Sequence, residues 1–259
     1  MAFDDSPGRR PYSDRPQRRV YAGPEQFHGD QVSLTPAESH HLSRVLRLSV
    51  GDWVEVVDGV GHVFAAEVCH STPDVSRLRL LGEVPSAGES CLRITLGIAL
   101  VRSDTLDLVV RQMTEMGVWQ LIPFYASRSL ARPETWQAGK VERWLRLAQG
   151  GLKSCERPCL PKILPPVPFA QVLSGDEQVK ILCWEDLRRQ ASAGELTASR
   201  RPESVRLLIG PEGGFTAPEV AAAQRAGFQC LGLGPRRLRV ETAAMAAVSL
   251  LQYLWGDLR

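Results

Sequence analysis

The residues best suited to chemistry lie in two glycine-dense stretches near the C-terminus. The first, Leu207-Leu208-Ile209-Gly210-Pro211-Glu212-Gly213-Gly214-Phe215-Thr216, reads as an apolar strand that runs into a loop and then a capped helix. Glycines accept backbone angles that side chains forbid, and they let a ligand or a second backbone come close. The second, Leu231-Gly232-Leu233-Gly234-Pro235-Arg236-Arg237-Leu238-Arg239-Val240-Glu241-Thr242-Ala243-Ala244-Met245, ends a strand in another glycine loop and adds three arginines within four positions. A helix then opens at Glu241 and Thr242, and Ala243, Ala244, Ala246 and Ala247 give it a small face that admits close packing. A tight turn explains either loop alone, solvation explains the arginines, and Glu241 near a helix start can simply complement the dipole. Those explanations leave out why two such loops stand at the ends of what read as neighbouring strands, about twenty residues apart. In open α/β sheets ligands bind beyond the carboxyl ends of the strands, where both loops would fall. Neither loop is G-x-G-x-x-G or G-x-x-x-x-G-K-[ST], so the usual dinucleotide and nucleoside-triphosphate fingerprints are missing.

Other candidate groups are weaker. Cys69, Cys91, Cys155, Cys159, Cys183 and Cys230 are scattered without a C-x-x-C pair, which fits reduced cytosolic thiols better than a zinc ribbon or a disulfide framework. His40 and His41 point different ways on a helix, which favours surface or capping roles over metal binding, and no metal is expected. The 259 residues carry 31 Lys and Arg against 29 Asp and Glu, a net charge of +2. That balance makes no whole-chain case for nucleic acid, so any RNA contact must be local. With 44% hydrophobic residues and no apolar run of spanning length, a soluble cytoplasmic protein without membrane contact is expected.

The elements that must position these residues can be read from periodicity. Residues 1–17 hold three prolines and almost no aliphatic side chain, which predicts a disordered tail. Residues 18–88 alternate apolar and polar in short runs: 19–21, 52–57, 61–68 and 77–81. Asp58-Gly59-Val60 links two of them with hairpin chemistry, and one helix is predicted from Pro36 to Leu46. The pattern is that of a small β-barrel with one helical insert. From residue 89 to 259, after a Pro85-Ser86-Ala87-Gly88 linker, near-continuous apolar runs at 92–101, 119–126, 179–184, 205–209 and 228–233 alternate with helices. Strands apolar on both faces predict an α/β domain with a mainly parallel sheet. Leu106, Val109, Val110, Met113 and Gly117 form a helical stripe behind Ser103, the predicted cap. Thr216 and Glu219 stand at capping-box spacing for a helix that runs to Ala226 and stops at Gly227.

Ile209-Gly210-Pro211-Glu212-Gly213-Gly214-Phe215, with Leu233-Gly234 and Leu238-Arg239-Val240-Glu241-Thr242-Ala243, closely resembles the two cofactor motifs of the SPOUT methyltransferase superfamily. More narrowly it resembles the RsmE family, which makes N3-methyluridine in 16S ribosomal RNA. His40 to Arg47 followed by Gly51-Asp52 is similar to that family's PUA-like domain, and Gln112 to Val118 with Ile122-Pro123 and Arg128-Ser129 resembles its first SPOUT helix and strand. Two departures stand out. Where relatives typically carry an alanine, then glutamine-serine, then arginine on one helix, this chain has Gly151, Ser154, Cys155 and Arg157, and Arg237 stands where they usually have an aliphatic residue.

The resemblance implies a SPOUT-type C-terminal domain, a trefoil-knotted, mainly parallel sheet with helices on both faces, plus a small N-terminal PUA-like β-barrel. It implies an S-adenosylmethionine pocket completed across a homodimer, and 16S rRNA or the small ribosomal subunit as partner. Cofactor contacts would come from Leu208, Ile209, Gly210, Pro211, Glu212, Gly213, Gly214, Leu233, Gly234, Leu238, Arg239, Thr242 and Ala243, with backbone groups of Leu208, Gly210, Leu233 and Leu238 receiving the adenine and ribose. Uridine N3 must lose a proton before it attacks, which assigns Glu241 as base and Arg239 as stabiliser of the uracil anion. Mutual pairing that only shapes the loop is an equal alternative for these two. Arg18, Arg19, Arg44 and Arg47, the last two on one helix face, would contact RNA phosphates, as would Arg157. Ribose 2′-O-methylation by another SPOUT enzyme, and nonenzymatic RNA binding, stay open as alternatives.

Overall fold

The computed structural model describes residues 18–86, 88–129, 133–135, 137, 139–185 and 201–258, so the predicted tail lies outside the described residues. The chain divides into two compact units, Met1–Pro85 and Ser86–Arg259.

The first unit comprises β1 (Arg19–Tyr21), β2 (Phe27–His28), β3 (Gln31–Ser33), α1 (Pro36–His40), β4 (Trp53–Val57), β5 (Val63–Ser71) and β6 (Ser76–Glu83). Its strands form one sheet in the order β1-β4-β5-β6-β3-β2. The β1–β4 pair is parallel and the other pairs are antiparallel. Alternation decides the faces: Val54, Val56, Ala66, Val68 and Leu78 enter one core with Val20, Val32 and Leu42, while Trp53 and Arg79 stay outside. The β4–β5 link behaves as predicted, because Asp58 Oδ1 accepts the N–H groups of Val60, Gly61 and His62 at 2.8, 3.1 and 3.0 Å. Thr35 caps α1, its hydroxyl accepting from the Glu38 N–H at 3.2 Å. The predicted Pro36–Leu46 helix is α-helical only to His40 and continues as a π-type turn, His41–Val45.

The second unit comprises β7 (Arg93–Ala99), α2 (Ser103–Glu115), β8 (Gln120–Tyr125), α3 (Gly139–Cys155), β9 (Lys162–Ile163), β10 (Val167–Pro168), α4 (Phe169–Val172), β11 (Val179–Cys183), β12 (Ser204–Ile209), α5 (Ala217–Arg225), β13 (Gln229–Leu231) and α6 (Val240–Leu254). Its sheet runs β10-β8-β7-β12-β11-β13, with β9 also on β8, and every pair is parallel. Successive residues of one strand feed opposite faces. Leu207 and Ile209 join a cluster with Leu106 of α2, Trp144 of α3 and Val248 of α6, whereas Leu208 joins Val172 of α4 and Val220 of α5. This two-sided burial is why the strands read as continuous apolar runs.

Two local expectations are corrected. Ser103 is the first helical residue of α2 rather than its cap; Arg102 takes the cap position without a side-chain cap bond. The extended chain leaving β7 turns one residue earlier than the hydroxyl suggested. Arg157, expected at an RNA surface, is 1% exposed. Its guanidinium donates to Glu89 Oε1 and Oε2 at 2.6 and 3.1 Å and to the Thr114 and Val118 carbonyls at 2.7 and 3.2 Å. It thus ties the end of α2 to the segment before β7. An Arg157→Ala variant, leaving two carbonyls and a half-buried carboxylate without their donor, is expected to lose about 3 kcal/mol. A thermal melt would show this as a fall of roughly 6–12 °C, with the salt dependence of RNA binding unchanged below the transition.

Candidate active site

In the second unit the two loop-bearing strands are not neighbours as expected: β12 and β13 flank β11, which inserts between them, and the register places Ile209, Cys183 and Leu231 level with one another. The loops that leave these three strands therefore start side by side at one end of the sheet. They surround a cleft of about 960 Å³, walled by Ile209 to Phe215, by Leu233 to Glu241 without Pro235, by Ala243, and by Cys183 to Glu185. Arg102 and Arg128 close it from the loops after β7 and β8, and Asp104 and Thr105 from the first turn of α2.

The first glycine loop has little freedom. The Gly214 N–H donates to the Pro211 carbonyl at 2.8 Å, closing a turn. Gly214 has φ +69°, and a Cβ there would enter the Glu185 carboxylate. Beneath the turn, Phe215 lies parallel to Phe124 with centroids 6.2 Å apart and tilts against Phe169 at 5.9 Å. This buried aromatic group fixes where the loop leaves the sheet. The capping box then starts α5 as predicted: the Thr216 N–H donates to Glu219 Oε2 at 2.8 Å, and the Glu219 N–H to Thr216 Oγ1 at 3.4 Å.

The second loop turns at Gly234, φ +92°, and delivers Arg236, Arg237 and Arg239 exposed. Arg239 occupies the N-cap position of α6 with an extended backbone and no side-chain cap bond. Glu241 sits in the first turn, where the positive end of the helix favours a carboxylate. Arg239 and Glu241 both line the cleft and form no ion pair with each other. Mutual pairing therefore does not hold them. Burial, with Cys230 nearby, pushes the Cys183 thiol up to about 12, which disfavours its thiolate form.

Of the predicted cofactor residues, Ile209, Gly210, Pro211, Glu212, Gly213, Gly214, Leu233, Gly234, Leu238, Arg239 and Ala243 line the one cleft. Leu208 and Thr242 do not. Strand alternation sends the Leu208 side chain into the core, where it is fully buried, so only its backbone, the group expected to meet the adenosine, could serve a ligand; the first turn of α6 presents Thr242 to solvent. Of the predicted RNA contacts, Arg44 and Arg47 are exposed and Arg18 is half-buried. Arg47 lies beyond the helical turn with φ +55°, so it does not share a helix face with Arg44. Arg19 is corrected: it is 5% exposed and its Nη2 and Nε donate to Glu55 Oε2 at 2.7 and 3.1 Å. Sequence reasoning missed Arg102, Arg128, Glu185, Arg236 and Arg237 as cleft residues. All follow strand ends, so the carboxyl-end rule applied to every strand could have found them.

A parallel sheet with helices on both faces and a cleft of this size at its carboxyl end defines an α/β ligand-binding domain. Residues 88–252 match the RNA methyltransferase domain family and residues 34–74 the RNA methyltransferase PUA domain. The chain belongs to this RNA methyltransferase family, within its RsmE group. It is 35% identical to the ribosomal RNA small subunit methyltransferase E of Synechocystis, over 91% of this chain and 77% of that one. It is 30% identical to the Bacillus subtilis protein of the same name, over 85% and 89%. Among solved structures, a Neisseria gonorrhoeae ribosomal RNA small subunit methyltransferase E bound to S-adenosyl methionine is similar with TM-score 0.84 and 28% identity, covering 94% of this chain and all of that one. A Legionella pneumophila methyltransferase with bound SAM has TM-score 0.86 and 29% identity, with the same coverage. Among the described residues no helix is long and apolar enough to cross a membrane, and no group of three His, Cys, Asp or Glu side chains could hold a metal ion.

Proposed function

We propose that this chain uses S-adenosylmethionine to methylate uridine N3 in the 16S RNA of the small ribosomal subunit. The observation that carries this is the convergence of both glycine loops on one cleft with Arg239 and Glu241 on its wall. The names of the relatives support the RNA and the subunit, and the SAM-bound neighbours support the donor.

The cleft fits that donor. Its volume is in the range of small-molecule sites, and the Pro211–Gly214 turn leaves backbone groups where side chains would block them. Gly210, Leu233 and Leu238 would hold the adenosine, with Gly213 and Gly214 giving it room. When bound, the donor supplies an electrophilic methyl group on a sulfonium. The remaining tasks fall to the protein. The uridine N3–H gives its proton to Glu241, directly or through one water, and the N3 lone pair forms the new N–C bond as the C–S electron pair returns to sulfur. Arg239 stabilises the negative charge that spreads over the uracil oxygens.

Residues 18–88 act as a PUA-like RNA-binding unit and 89–259 as the methyltransferase unit, its C-terminal segment tied in a trefoil knot. Arg18, Arg44 and Arg47 contact phosphates, and Arg236 and Arg237 add cations at the cleft. The protein works in the cytoplasm as a homodimer; Leu108 on α2 and Tyr253 on α6, 43% and 63% exposed on helices that pack together, offer apolar surface for the contact. Mass analysis of 16S rRNA nucleosides from a strain lacking the gene tests the reaction. Loss of N3-methyluridine is expected, restored by the wild-type gene. Loss of a ribose-methylated nucleoside instead would overturn the assignment.

A further inference from the structure

The loop after β8 grips the glycine loop at one point and the helix α5 that follows it at another, and methyl transfer as described above leaves both unexplained. Arg128 donates from Nη1 to the Gly213 carbonyl at 2.6 Å. A Cβ on Gly213 would lie 3.2 Å from the Cβ and Cδ of Arg128, so this side chain rests on the glycine. One residue earlier, the Ser127 N–H donates to Glu219 Oε1 at 2.8 Å. The other oxygen of Glu219 accepts from both the N–H and the hydroxyl of Thr216, each at 2.8 Å. The Ala126–Ser129 turn is itself braced, because the Ala126 N–H donates to Ser129 Oγ at 3.1 Å and the Ser129 N–H to the Ala126 carbonyl at 3.0 Å.

Helix capping alone does not account for Glu219. A capping box needs one carboxylate oxygen, and Oε2 already serves Thr216. Oε1 reaches a backbone 92 positions away in sequence, from a side chain only 6% exposed. Burial pushes the carboxyl up, but the hydrogen bonds from Ser127 and Thr216 outweigh it and keep the group below the ordinary value of 4.5, so the anion persists at neutral pH. The two grips fix the C-terminal side of the Pro211–Gly214 turn: Arg128 holds its third residue, and Glu219 holds the helix start that follows it.

We propose that the Ala126–Ser129 turn is a latch on the glycine loop, with Arg128 and Glu219 as positioning residues that keep the Pro211–Gly214 turn in the shape that receives the methyl donor. The latch rests on the donor assignment proposed above, and neither residue touches a reacting atom.

Calorimetric titration of S-adenosylmethionine and S-adenosylhomocysteine into the full chain tests it, alongside kcat, KM and melting temperature. Arg128→Ala is expected to raise the donor Kd and KM roughly tenfold while kcat changes little. Its melting temperature stays near wild type, because Arg128 is exposed, and Arg128→Lys recovers most of the affinity. Glu219→Gln raises the same Kd, and the double variant raises it by less than the product of the two, because both act through one loop. A wild-type Kd in Arg128→Ala, or effects that multiply independently, overturns the latch while leaving the donor site standing. No binding of either compound to the wild-type chain overturns the donor assignment and the latch with it.

Discussion

Replacing Glu241 with glutamine is expected to lower kcat by about 10²–10⁴ while the affinity for S-adenosylmethionine stays within about twofold. Uridine N3 is a poor nucleophile while protonated, so removing the base acts on the chemical step and spares the binding of the donor. Glutamine keeps the size of the side chain and its place in the first turn of α6. Arg239→Ala is expected to lower kcat by about 10²–10³ through the loss of anion stabilisation. The two effects should be non-additive, since proton removal and stabilisation of the resulting charge belong to one transition state. Single-turnover methylation of small subunits, with donor binding measured separately, checks this. A raised donor Kd with normal kcat would move both residues out of the chemistry and into the pocket wall.

Gly214→Ala is expected to weaken S-adenosylmethionine binding by roughly 100-fold or more. Two costs combine. Alanine at φ +69° is strained by about 1–2 kcal/mol, and its Cβ enters the Glu185 carboxylate, which must move within the cleft wall. Gly227, also at positive φ but with nothing near its Cβ position, serves as the control. Gly227→Ala should carry similar backbone strain and leave donor binding intact. Equal loss of binding in both variants would mean that strain alone, transmitted through the fold, is responsible.

What was legible in the sequence follows from how locally each feature is encoded. The four long strands of the parallel sheet, β7, β8, β11 and β12, were legible because burial on both faces leaves a continuous apolar run, and the capping box at Thr216 and Glu219 because its spacing is fixed by one helical turn. Three-residue β1 and β13 were read from the runs 19–21 and 228–233, whereas β2, β3, β9 and β10, equally short or shorter, carry too little pattern to show a period. The buried arginines were misread for a different reason. Arg19 meets Glu55 across a strand pair, and Arg157 meets Glu89 at a sequence distance of 68. Nothing near either residue in the sequence separates a paired guanidinium from a solvated one. The same limit hid Arg128, whose acceptor at Gly213 is 85 positions away. Glycine loops announce a site, but the side chains that hold them are chosen by the fold.

A crystal structure of the full chain grown with S-adenosylmethionine would test the donor cleft most directly. Density for the adenosine is expected against the backbone of Gly210, Leu233 and Leu238, with the methyl group facing Arg239 and Glu241. Donor density anywhere outside the cleft between residues 210–215 and 233–243, or a methyl group turned away from that pair of side chains, would contradict the assignment.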